Sequence, residues 1–334
     1  MGARPAVHRI ARDGRIRCRW KAALPATGRL EHRVRAVRGQ ASFSPAARLS
    51  RDRASACHLR VEVNWYPAPG KLNLFLHVLG RRADGYHELQ TVFRLVERAD
   101  RVGIGLREDG EMRFSGPFGD DNLCLKAARL LKAQTGARYG ADLALEKKLP
   151  VGGGMGGGSS DAATVLLVLN KLWNLHLNKE VLLDLGKRLG ADVPVFVYGR
   201  NAIGEGIGER LRALELPRAW YLVLEPQVSV STRETFARSL TPHSKPLKIP
   251  PFFSGQGRND LEAAVVARYP EVAADLEWLR QRCPQARMTG SGACVFAEFE
   301  TEAEAFAVHA ALPGGMKGFV ARGLDRHPLC EWTD

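Results

Sequence analysis

A chain of 334 residues, 45% apolar and 25% charged, has ordinary globular composition and room for about two domains. It contains no run of about 18 apolar residues that could cross a membrane as a helix, and no Cys pair at the C-x-x-C spacing of a zinc site. The net charge of +13 is concentrated in residues 1–60, which hold fifteen Lys or Arg against three acids; downstream, 34 bases nearly balance 33 acids, so the body lacks the basic footprint of a nucleic-acid-binding protein.

Residues 1–60 are Arg-rich and show neither helical nor strand periodicity, so they are expected to be a disordered basic leader. The next methionine after Met1 is Met112, and a start at a non-Met codon near Val61 would make the leader an upstream extension foreign to the translated protein. A transit peptide directed to a plastid is the alternative, and the six scattered cysteines without a secretory segment fit a bacterial-type cytoplasmic protein.

From residue 59 the pattern changes. Leu59, Val61, Val63 and Trp65 alternate with polar residues, and Lys71 to Leu79 is a second apolar run; Pro67 and Pro69 between them predict a turn and two strands. Arg101–Leu106 and Ala141–Lys147 are further strand candidates, and Asp121 is the expected cap of an amphipathic helix that follows. Ser160 or Asp161 is expected to cap a helix with apolar positions at Ala162, Val165, Leu166, Leu169 and Leu172. Glu180–Leu189 reads as a helix, Trp220–Leu224 as a strand, and Leu261 to Leu279 as one long helical pattern after a Pro-rich connection from Pro242 to Pro251. A final strand, loop, strand, helix and strand complete an α+β chain of two domains with mixed sheets, 61–216 and 217–334.

The most informative segment is Pro150–Ala163, PVGGGMGGGSSDAA, with six glycines in seven positions ahead of a helix start. Glycines let backbone N–H groups approach an anion closely, and a helix N-terminus adds free donors and the positive end of its dipole. The result is a phosphate site. Gly152, Gly154 and Gly157 satisfy G-x-G-x-x-G, but the loop lies mid-domain and does not open a first βα unit. Gly152 and Gly157 have Walker A spacing, but Gly158 stands where lysine must be.

PVGGGMGGGSSDAA resembles the phosphate-binding motif of the GHMP kinases, in the glycine-rich variant of the diphosphocytidyl-methylerythritol kinase branch. PAPGKLNLFL (Pro67–Leu76) resembles the first superfamily motif and TGSGACVFA (Thr289–Ala297) the third. The resemblance spans 61 to about 332 and implies the two-domain GHMP kinase fold with an active site in the cleft between domains. It implies ATP as phosphoryl donor and Mg2+ as its companion, with no ligand set for the metal. GADVPVF (Gly190–Phe196) resembles the segment bearing the catalytic aspartate, which implies Asp192 as base with Lys71 beside it. Asn73, two residues along the same strand face as Lys71, is a candidate substrate ligand. The nucleotide site implied is Pro150, Val151, Gly152, Gly153, Gly154, Met155, Gly156, Gly157, Gly158, Ser159 and Ser160, with Asn122 and Lys147 near the adenine.

ADGYHELQTVF (Ala83–Phe93) resembles the cytidine-binding stretch of that branch, and implies a substrate that is a cytidine diphosphate-linked methylerythritol of isoprenoid-precursor synthesis. Tyr86 would stack on the base, His87 would read its edge, and Phe236 with nearby Thr232 would close the other side. Another GHMP kinase acting on a different alcohol, and a non-catalytic nucleotide-binding protein of the same fold, are the competing readings.

Overall fold

The computed structural model describes residues 63–238, 245–246 and 257–332; the basic leader, the proposed start near Val61 and most of the connection from Pro242 to Pro251 lie outside them. Its spine is a long antiparallel pair, β1 (Asn64–Arg81) and β2 (His87–Arg107). The tip of this pair is an Asp-Gly turn in which Asp84 Oδ1 accepts from Tyr86 N at 3.1 Å and Gly85 takes φ +87°, so Tyr86 and His87 are presented at the end of the hairpin.

The expected break at Pro67 and Pro69 does not occur: β1 runs through both prolines as a single strand. Among the described residues its only named strand partner is β2; the one bridge on its other edge, Leu76 with Asn259, lies beyond the prolines, and the register shifts between Pro69 and Lys71. β2 is paired on its opposite edge by three strands in succession. Leu89–Phe93 meets β5 (Ala202–Gly206), Leu95–Val96 meets β10 (Gly318–Leu324), and Arg101–Arg107 meets β4 (Gly140–Glu146). β3 (Met112–Ser115) joins β4 in parallel and the remaining pairings are antiparallel, which makes the sheet mixed.

Four helices cover the first part of the sheet: α1 (Leu123–Thr135), α2 (Gly157–Leu172), α3 (Lys179–Leu189) and α4 (Val193–Tyr198). α2 is buried at every position from Ser160 to Asn170, as expected of a helix enclosed by α1, α4 and the sheet. Asn122, not Asp121, caps α1, its Oδ1 accepting from Cys124 N at 2.7 Å. Gly156, not Ser160 or Asp161, precedes the first turn of α2, with φ +70°. A Cβ on Gly156 would press against Lys71 Cε and the Phe196 ring, so close packing and backbone conformation both demand glycine there.

The expected boundary near 216 falls between β6 (Arg210–Ala213) and β7 (Trp220–Leu224). Beyond it come α5 (Thr232–Arg238), α6 (Glu262–Val266), α7 (Pro270–Arg280), β8 (Arg287–Met288), β9 (Val295–Phe299) and α8 (Glu302–Ala310). The sheet continues across the boundary because β10 pairs with both β2 and β7. The single helix expected over Leu261–Leu279 is two, since Tyr269 is extended (φ −119°, ψ 92°) ahead of Pro270, whose ring disfavours helix in the residue before it. No helix among the described residues is long and apolar enough to cross a membrane.

Candidate active site

A cleft of about 620 Å³ is lined by the whole of Pro150–Ser159, by Lys71, Asn73 and Thr91 from the β1–β2 pair, by Asp192, and by Thr232, Phe236, Gly290 and Ser291 from beyond residue 216. The glycine-rich loop is braced from behind. Ala293 N donates to Gly152 O at 3.1 Å, Cys294 N to Gly153 O at 3.2 Å, Lys71 Nζ to Gly154 O at 2.8 Å, Lys71 N to Met155 O at 3.0 Å, and Ser160 N to Gly156 O at 2.9 Å. Five consecutive carbonyls are therefore engaged by protein, which leaves the N–H side of the loop and the first turn of α2 for an anion in the cleft. Gly154 has φ +76°, and a Cβ there would collide with the carbonyl oxygen of Thr289. The third glycine motif thus holds the second one in shape.

Lys71 Nζ lies 3.3 Å from Asp192 Oδ2. The ammonium is buried, its side chain 3% exposed, while Asp192 is 35% exposed and opens to the cleft. Asp192 directly precedes α4 but makes no side-chain cap bond, so its carboxylate is not consumed by the helix end. Asn73 is oriented at both ends: its Oδ1 accepts from Lys71 Nζ at 2.5 Å and its Nδ2 donates to Thr91 Oγ1 at 2.9 Å. Its amide therefore serves Lys71 first.

Toward the other end of the loop, Lys147 lines the cleft but is held by two buried carboxylates, Asp100 and Asp161, the latter at 2.9 Å. Burial, together with the neighbouring Asp100 charge and against the pull of Lys147, pushes Asp161 up to about 7. Burial would lower Lys147, but Asp161 and Asp100 outweigh it and raise it. Asn122 is in the cleft wall, its side chain spent on the α1 cap and on Pro117 O at 3.2 Å. Ser160 departs from the expectation for the loop: it is fully buried and its Oγ donates to Pro69 O at 2.7 Å, so it ties α2 to β1 and faces away from the cleft. Ser159 remains in the cleft lining.

A second cavity of about 590 Å³ contains Tyr86 and His87 and shares Leu89, Ala191, Ile207, Thr232 and Phe236 with the first. The His87 and Phe236 rings are 5.5 Å apart, tilted by 34°, and Tyr86 is 58% exposed at the hairpin tip. Thr232 Oγ1 is 2.7 Å from Ser291 Oγ, which links the start of α5 to the third glycine motif. Glycine loop, acid–lysine pair and aromatic cavity thus form one continuous cleft. Asp100 lies outside the motifs, and Thr91 and Ser291 lie within two of them without being singled out as site residues; only their long-range partners distinguish the three.

The GHMP kinases N terminal domain model matches residues 122–200 and the GHMP kinases C terminal model matches 252–318. The chain is 57% identical over 275 residues to the 4-diphosphocytidyl-2-C-methyl-D-erythritol kinase of Nitrosospira multiformis, covering 80% of this chain and 94% of that protein. It is 56% identical over 273 residues to the protein of the same name from Thiobacillus denitrificans, covering 80% and 98%. This chain belongs to the 4-diphosphocytidyl-2-C-methyl-D-erythritol kinase family. A crystal structure of a 4-(cytidine 5'-diphospho)-2C-methyl-D-erythritol kinase superposes with a TM-score of 0.69 at 34% identity, covering 78% of this chain and 99% of that one. A mevalonate kinase structure, 14% identical with a TM-score of 0.59 over 79% of this chain and all of its own, shares the fold. Membership makes the chain a GHMP kinase that takes its phosphoryl group from ATP. The N-terminal family model includes Asn122, the glycine loop and Asp192, and the C-terminal model includes Gly290 and Ser291.

Proposed function

We propose that this kinase transfers the γ-phosphoryl group of ATP to the 2-hydroxyl of 4-diphosphocytidyl-2-C-methyl-D-erythritol, giving the 2-phosphate and ADP, in cytoplasmic isoprenoid-precursor synthesis. The observation that carries this reading is the Lys71–Asp192 pair, 3.3 Å apart, with the glycine loop and the Tyr86–His87–Phe236 cavity both continuous with its cleft. Phosphoryl transfer needs positioning and charge stabilisation more than covalent help from the protein. The backbone N–H groups of 151–159 hold the nucleotide phosphates, and Asp192, open to the cleft, accepts the proton of the attacking hydroxyl. Lys71, buried and fixed by Asn73 and Gly154, stands 3.3 Å from that carboxylate and meets the charge developing on the transferring group.

Magnesium fits this chemistry. Among the described residues no group of three or more His, Cys, Asp or Glu could hold a metal ion. Ser159 would contribute a hydroxyl oxygen, and Mg2+ would supply neutralisation of the phosphate charge.

Tyr86 and Phe236 would clamp the cytosine and His87 would address its edge, while Lys147 and Asn122 would border the adenine. Stacking tolerates any base, so preference for cytosine must come from hydrogen bonds whose loss strands buried partners. The test is kcat/KM for the cytidine substrate, its uridine analogue and bare methylerythritol phosphate. The cytidine compound should exceed both by at least tenfold; equal values across the three would refute the cytidine assignment while leaving the kinase intact.

A further inference from the structure

The buried polar groups around Lys71 form a chain in which each orientation is dictated by the previous one. It begins at Thr91, a β2 residue that is 1% exposed. The Thr91 hydroxyl donates to Phe75 O at 2.5 Å. A hydroxyl has one proton, so toward Asn73, 2.9 Å away, Thr91 can only accept. The Asn73 amide must therefore turn its NH2 to Thr91 and its Oδ1 to Lys71 Nζ, 2.5 Å distant. The Asn73 backbone is also held, because its N–H donates to the buried Thr289 Oγ1 at 2.9 Å. With one ammonium proton on Asn73 and another on Gly154 O, the third is left for Asp192.

We propose that Thr91 is a positioning residue for phosphoryl transfer: by donating its only proton to Phe75 O it fixes the Asn73 amide so that Lys71 is aimed at Asp192. This rests on the catalytic reading of Lys71 and Asp192 given above. Thr91 acts through Asn73 and Lys71 and need not meet the nucleotide or the alcohol itself. Without its hydroxyl the Asn73 NH2 group has no acceptor. The amide is then anchored at one end only, by the Lys71 ammonium, and its stranded NH2 group can rotate toward another acceptor and draw Oδ1 away from Lys71 Nζ. A misdirected ammonium impairs the transition state more than ground-state binding, because substrate and ATP are held mainly by other groups.

The test compares the wild-type enzyme with Thr91→Val, Thr91→Ser, Asn73→Ala and the double variant Thr91→Val/Asn73→Ala, measuring kcat, both KM values and melting temperature. Thr91→Val should lower kcat by about 10²-fold while both KM values move less than about threefold. Thr91→Ser, which keeps the hydroxyl, should restore most of kcat. The double variant should be no slower than Asn73→Ala alone, since Thr91 works only through the amide. If the valine variant does not fold, Thr91→Ala removes the same hydroxyl with no added bulk and answers the same question. A Thr91→Val enzyme that loses melting temperature but keeps kcat, or multiplicative losses in the double variant, would overturn the proposal. Asp192→Asn run alongside separates the two readings. Near-normal turnover there defeats the catalytic assignment, whereas a slow Asp192→Asn with a normal Thr91→Val defeats only the role of Thr91.

Discussion

Replacing Lys71 by Met and Asp192 by Asn should separate burial from chemistry within one ion pair. Lys71→Met keeps the length of the side chain and removes the ammonium, which strands two acceptors at a buried site, Asn73 Oδ1 and Gly154 O. Each stranded acceptor costs about 1–3 kcal/mol. Relief from burying the ammonium offsets part of this, leaving a loss of about 2–4 kcal/mol. At about 2–4 °C per kcal/mol for a body of this size, the melting temperature should fall by roughly 4–16 °C. Asp192 is about one-third exposed and caps nothing, so Asp192→Asn should change stability by less than about 0.5 kcal/mol. As the general base it should nevertheless lose about 10²–10⁴ in kcat, equivalent to about 3–5 kcal/mol of barrier. Differential scanning fluorimetry and steady-state phosphoryl transfer on the two purified variants provide the comparison. Equal melting-temperature losses, or turnover within a fewfold of wild type in Asp192→Asn, would refute the reasoning.

Gly154→Ala should weaken ATP binding at least tenfold in calorimetric titration, because φ +76° disfavours a side chain and the added Cβ meets Thr289 O, forcing the phosphate loop away from the third glycine motif. Tyr86→Ala should raise the KM for the cytidine substrate by about 5- to 150-fold, the equivalent of about 1–3 kcal/mol of stacking, with the KM for ATP unchanged in the same assay. Asp161 contributes to the pH dependence of stability, as does Asp275, which burial pushes up to about 6. The folded value of Asp161, about 7, lies above the ordinary 3.8, so the folded state holds a proton that the unfolded chain has released. Its contribution is therefore fully present below about pH 4 and is lost as pH rises toward 7. Asp161→Asn should abolish that loss, so the melting-temperature difference between variant and wild type should grow in the variant's favour from pH 5 to pH 8; a constant difference would show that Asp161 does not titrate there.

Local chemistry determined a large part of this protein. Glycine has few uses in ordered chain other than close approach and positive φ, so the run from Gly152 to Gly158 ahead of an apolar helix announced a phosphate site before any fold was known. Two-residue spacing put Lys71 and Asn73 on one strand face, and the turn at Asp84–Gly85 set Tyr86 and His87 at a tip. Helix ends were less legible: Gly156 at the start of α2 offers no side-chain capping signal, and Ser160 and Asp161, which look like caps, are buried one turn further on.

Tertiary structure decided what those residues do. Pro67 and Pro69 read as breakers until β2 supplies a partner along one edge of β1, while the bridge on the other edge, Leu76 with Asn259, lies beyond the prolines. Lys147 reads simply as a cation near the adenine until Asp100 and Asp161 hold it, and Ser160 as a phosphate ligand until Pro69 takes its hydroxyl proton. Thr91 reads as an ordinary strand threonine until Phe75 O claims its proton and leaves only an acceptor for Asn73. Periodicity and turn chemistry are short-range and can be read along the chain. A buried hydrogen bond depends on which donor and acceptor the folded strands bring within 3 Å, and that pairing spans separations no local pattern encodes.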